Sequence, residues 1–163
     1  AKAREAVKEL TEAFPNVKMC RGNHDDIAYR QAKTLGIGDV FIKPFREIYG
    51  LPNTWELENE YVIDGVLYTH GTGISGKNGA INKAIQERMS VCIGHTHIYG
   101  GVMYSSNHYD TIFGAQCSCL IDRETYAFEY ARNNKIMPSL GCLVVIDKSE
   151  CHYIPMRGKY LEV

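Results

Sequence analysis

CRGNHDD, residues 20–26, decides how this chain is read. It follows Val17–Cys20, a short apolar run that reads as a buried strand. A glycine, an amide, an imidazole and two carboxylates then arrive in a row, where a glycine lets the backbone turn without adding bulk. The same order recurs twice downstream. GVLY runs into Thr69-His70-Gly71, and VCI (Val91–Ile93) opens into Gly94-His95-Thr96-His97. Four of the six histidines therefore stand where an apolar run ends. Strands of an open sheet deliver their ends to a shared edge, and ligands bind outside such edges. Asn23, His24, His70, His95 and His97 are thus expected to converge on one rim.

Imidazole nitrogen suits zinc, iron or nickel, and an amide oxygen suits a harder ion such as manganese. A mixed set fits a divalent cation of intermediate hardness, which can polarise a phosphoryl oxygen and activate water. Taken singly, each motif has a plainer reading. GNHD has turn chemistry, and GHTH could be two exposed residues of one strand face. The ordered set, each member at the end of an apolar strand, favours the metal rim.

Outward from these motifs, Ala3, Ala6, Val7, Leu10, Ala13 and Phe14 form a helical stripe over residues 1–14. Asp25 or Asp26 is expected to cap a second helix over 27–35, with Gly36 as its stop. Residues 36–54 look irregular. WELENEYVI (55–63) reads as one strand, turned by Asp64-Gly65 into the next, a strong hairpin signal. Further expectations are a helix near 80–89, strands at 91–93, 101–104, 111–113 and 116–121, and a hairpin of 142–146 with 151–155. Residues 122–133 are ambiguous. The fold class is α/β (α+β), in a single domain of 163 residues.

Hydrophobic residues make up 45% and charged residues 23%, an ordinary globular balance, and the net charge of −1 offers no general nucleic-acid surface. No apolar run approaches a membrane span, and residues 1–14 lack the apolar centre of a secretion signal. Six cysteines, several inside apolar runs, suit free thiols in a reducing, cytoplasmic compartment.

GNHD (Gly22–Asp25), then a strand ending Thr69-His70-Gly71, then GHTH (Gly94–His97), resembles the calcineurin-like metallophosphoesterase superfamily over most of residues 17–100. The resemblance implies a β-sandwich flanked by helices, with a two-metal site at strand ends. Asn23, His70 and His95 would bind the second metal and His97 the first. His24 would stand by the leaving group as acid or donor, with Asp25 orienting it. The implied activity is hydrolysis of a phosphomonoester or phosphodiester by metal-activated water, with Mn, Zn, Fe or Ni as cofactor. The family's two earlier motifs, Asp-x-His and Gly-Asp, do not precede Gly22. Gly38-Asp39, the chain's Gly-Asp, falls after GNHD.

The expectation is accordingly an incomplete metallophosphoesterase-like domain, its C-terminal two-thirds. A partner chain or segment could supply the missing strands. The four remaining ligands are neutral, so two divalent ions held close together would repel with nothing to offset them. At most one ion is expected from this chain alone, with weak or no catalysis. The alternative is a non-catalytic binding or scaffold protein derived from the same fold, including a chain in which Cys20 or Cys92 helps hold a structural zinc. Lys77, Tyr99, Tyr104, His108 and Tyr109 border the expected site and could touch a phosphate-ester substrate.

Overall fold

A computed structural model describes residues 2–121 and 137–156. Among them are four α-helices and three sheets, a mixed α+β class. The segment 122–133, ambiguous in sequence, lies outside the described residues. The chain divides into two compact units, residues 1–61 and 62–163.

In the first unit, α1 (Lys2–Ala13) leads to β1 (Val17–Cys20), and α2 (Ile27–Thr34) follows the GNHD turn. Asp26 occupies the N-cap position of α2, but its side chain makes no capping bond, contrary to the sequence expectation. The stretch 36–54 contains a single 3₁₀ turn (Asp39–Phe41) and α3 (Phe45–Tyr49), which ends on Gly50 at φ 68°. This left-handed stop is a common glycine C-terminus. The nine-residue strand expected over 55–63 is two strands, broken at Asn59. β2 (Trp55–Glu58) pairs in parallel with β1, while β3 (Glu60–Ile63) joins another sheet. Asn is a poor strand residue, and the break lets successive segments take different partners. Phe45, Leu51 and Trp55 form the buried cluster, with Val7, Val17, Met19, Tyr49 and Leu57 against it.

In the second unit, Asp64 (φ 52°) and Gly65 (φ 77°) form the left-handed turn that joins β3 to β4 (Val66–Thr69). Asp-Gly suits two consecutive positive φ angles, which match the twist of a hairpin. Then come α4 (Gly79–Glu87), β5 (Ser90–Ile93), β6 (Gly100–Ser106), β7 (Thr111–Cys117), β8 (Gly141–Ile146) and β9 (Glu150–Pro155). The separate strands expected at 111–113 and 116–121 are the one strand β7, which ends at Cys117; beyond it Cys119 forms only an isolated bridge to Leu140. The five-stranded sheet has the order β3-β4-β5-β7-β6. β4, β5 and β7 run parallel, and β6 returns antiparallel to β7.

Strand alternation sorts the two faces of this sheet. Leu67, Val91 and Ile93 pack beneath Ala80, Ile81 and Ala84 of α4. Their neighbours Val66 and Cys92, with Phe113 and Ala115, face Cys151, Leu143 and Val145 of the β8–β9 hairpin. Gly114 is required on the helix side, because a Cβ there would stand 2.2 Å from the backbone nitrogen of Ile81. No helix among the described residues is long and apolar enough to cross a membrane.

Candidate metal centre

β4 and β5 lie side by side in parallel, with Thr69 opposite Ile93. Both strands therefore end at the same level. One further backbone bond, Gly94 N–H to the His70 carbonyl at 3.2 Å, carries the register past the strands. Gly71 turns away at φ 87°, and a Cβ there would meet Ile93 Cβ at 3.0 Å and His95 Cβ at 3.5 Å. The two exits can approach because position 71 has no side chain.

This backbone geometry sets His70 and His95 together. His95 Nδ1 lies 3.1 Å from His70 Nε2, and the half-buried rings meet edge to face with centroids 5.0 Å apart. Two nitrogens this close either share a proton or face a common cation. Imidazoles bind zinc at about 2.0–2.1 Å, so two on one ion at angles between 90° and 109° stand roughly 2.9–3.4 Å apart. The observed separation fits that edge of a coordination shell. A metal ion could take the place of that proton. Among the described residues, no group of three or more His, Cys, Asp or Glu side chains is placed around one point.

Thr96 is buried between the two histidines of GHTH, and its hydroxyl donates to Gln116 Oε1 on β7. Gln116 Nε2 in turn donates to the Lys77 carbonyl at 2.5 Å. Tyr99 N–H closes a turn onto the Thr96 carbonyl at 3.0 Å, and the His97 carbonyl accepts from Ser139 N–H at 3.0 Å. This network ties the GHTH loop to β7 and to the start of the hairpin. His97 is half-buried and lies beyond the His70–His95 pair, on the far side of Thr96 in the chain. Sequence reading missed Thr96 and Gln116 as supports. The available signal was a polar residue in the otherwise apolar run IFGAQC, since a buried amide needs partners.

Asn23, His24 and Asp25 belong to the first unit. Asp25 N–H donates to the Gly22 carbonyl at 3.1 Å, while Gly22 N–H donates to Asp25 Oδ2 at 2.7 Å. These reciprocal bonds close a turn with Asn23 and His24 at its centre. Arg30 of α2 donates to the Asn23 carbonyl at 3.0 Å. His24 is exposed and Asn23 half-buried.

The six cysteines are thiols, not disulfides. Cys92 sits in the hairpin-side cluster, on the opposite sheet face from Val91 and Ile93. Its hydrogen bond to the Cys151 thiol, and then its burial, push its pKa well up. Burial and the nearby Glu60 carboxylate also raise that of Cys20. Cys92 is packed in that cluster, whereas Cys20 is half-buried at the end of β1. Tyr104 donates to the Cys151 carbonyl at 3.3 Å and packs edge-on to Phe113, which ties β6 to β9. His108 and Tyr109 are exposed on the β6–β7 turn, and Lys77 is exposed in the loop before α4. No protein-family model matches the chain, and no curated protein matches it.

Proposed function

We propose that this chain carries part of the site of a metal-dependent phosphoesterase of the calcineurin-like kind, in a β-sandwich-like domain. The observation that supports the reading is the 3.1 Å approach of His95 Nδ1 to His70 Nε2 at two adjacent parallel strand ends. A divalent cation of the Mn, Zn, Fe or Ni group there would supply Lewis-acid polarisation of a phosphoryl oxygen and a lowered pKa for water. His70 and His95 would hold that ion, and Asn23 is the third donor that the family resemblance implies. His97 belongs to a second ion, whose retention needs carboxylates from another chain or segment. Lone imidazole and amide ligands leave the charge of two close cations unopposed.

The remaining roles fall to the GNHD turn. His24 stands exposed at its tip, free to give a proton to the leaving-group oxygen. Asp25 is a positioning residue, since its carboxylate accepts the Gly22 N–H and so fixes the turn that presents His24. A single ion and no carboxylate ligands make for slow hydrolysis by the isolated chain. A non-catalytic binding protein on the same fold is the competing reading.

Turnover of bis(p-nitrophenyl) phosphate and p-nitrophenyl phosphate, with Mn²⁺ or Zn²⁺, tests the assignment alongside metal titration of the same samples. The reading expects His24→Ala to bind metal as the parent does and to lose at least about a hundredfold in hydrolysis, the scale of a lost general acid. His95→Ala should lose both. Metal release by Cys20→Ser or Cys92→Ser, with His70→Ala and His95→Ala silent, would replace the hydrolase reading with a structural zinc.

A further inference from the structure

We propose that a cavity between α4 and the edge strand β6 receives the planar heteroaromatic base of a nucleotide whose phosphate lies at His70 and His95. The phosphate placement rests on the reading above, whereas the base pocket rests on its own geometry. The cavity holds about 210 Å³. Pockets for drug-sized ligands run to roughly 300–1,000 Å³, so this one suits a single ring system.

Its shape follows from strand alternation. On β7, Ile112, Gly114 and Gln116 share the helix-side face, while Phe113 and Ala115 take the other. On β6, a Cβ at Gly100 would run into the Tyr153 ring on the hairpin side, so Gly101 and Met103 face the helix side. Gly101 and Gly114 thus leave a flat strip of backbone where side chains would otherwise stand. Ile81 of α4 and Met103 give apolar walls, and Tyr99 offers an aromatic ring for stacking.

The polar end is Gln116, only 5% exposed, which lines the cavity. Its amide spends one lone pair on Thr96 and one N–H on the Lys77 carbonyl. One N–H and one lone pair remain, the donor–acceptor pair that glutamine offers to an adenine edge. Lys77, an exposed residue, also lines the cavity. Gln116 is also the register partner of Ile93, two residues before His95. The Gln116 end of the cavity therefore lies towards the sheet end that carries the imidazole pair, and the Thr96–Gln116 bond links it to the GHTH loop.

Calorimetric titration of the 163-residue chain with Mn²⁺ present, using adenosine 5′-monophosphate and ribose 5-phosphate as probes, tests the pocket. The proposal expects the nucleotide to bind at least about tenfold tighter than the sugar phosphate, the scale of one stacked base. Tyr99→Ala and Met103→Glu should each abolish that preference and leave ribose 5-phosphate binding unchanged. Met103 is 40% exposed, so its replacement does not unpack the core. His95→Ala should weaken both probes while the preference for the base survives. Equal binding of the two probes, or a preference that both Tyr99→Ala and Met103→Glu leave intact, overturns the pocket. If His95→Ala changes neither probe while those two variants remove the preference, the metal placement fails and the base pocket stands.

Discussion

The two units build strand exits of the same composition on very different foundations. GNHD leaves β1, one of two parallel strands backed by Phe45, Leu51 and Trp55. His70 and His95 leave β4 and β5, inside a five-stranded sheet with a packed cluster on each face. The first exit is shaped by short-range bonds, Asp25 with Gly22 and Arg30 with Asn23. The second is shaped by strand register, which sets where the backbones carrying the two imidazoles end. A side chain can thus be placed by a local turn or by a sheet, and the sheet gives its backbone the stiffer placement. The first unit also exposes large apolar side chains on and around its 3₁₀ turn, with Leu35, Val40 and Phe41 at 75%, 87% and 83% exposure.

The contrast breaks most sharply at the cores. Phe113 is fully buried, and Phe113→Ala should cost about 3–5 kcal/mol. Metal affinity at His70 and His95 should fall with it, because β7 pairs with β5. Trp55→Ala should loosen the first unit and leave the imidazole pair intact. Thermal melts and the NMR contacts between the His70 and His95 rings check this on both variants, and a loss of those contacts in Trp55→Ala would contradict it. Gly71→Ala is the next largest effect. A left-handed backbone costs an L-residue about 1–2 kcal/mol, and the new methyl would press on Ile93 and His95. Zinc should bind more weakly, and the histidine ring resonances should lose their mutual contacts in NMR spectra.

The smallest effect lies at high pH. Burial, followed by the nearby Cys92, Cys151 and Asp64 groups, pushes the Tyr68 phenol up from 10.0 to about 12. An unfolded tyrosine ionises first, so the stabilising contribution is whole below pH 10 and is lost as pH rises towards 12. Urea midpoints measured across that range should fall more steeply for the parent chain than for Tyr68→Phe, and equal slopes would contradict this origin.

How much was legible in sequence follows the same division. The apolar runs that become β1, β4 and β5, the Asp64-Gly65 turn and the last hairpin were all readable, because burial and turn chemistry are local signals. The break at Asn59 was not, since nothing local says that Trp55–Glu58 will seek β1 while Glu60–Ile63 seeks β4. No side-chain cap formed because Asp25 bonds the Gly22 N–H and Asp26 sits at φ −89° and ψ 0°, not in the extended backbone of a capping residue. Of the rim, the approach of His70 to His95 follows from two adjacent parallel strands of equal reach. The Thr96–Gln116–Lys77 support stayed hidden because it joins three segments far apart in the chain.

Diffraction at the zinc absorption edge, on crystals grown with Zn²⁺, addresses the central claim directly. The account expects an anomalous peak at about 2.0–2.1 Å from both His95 Nδ1 and His70 Nε2, absent from His95→Ala crystals grown the same way. A peak that ignores these two nitrogens, or imidazoles that keep their 3.1 Å mutual contact with zinc bound elsewhere, would contradict it.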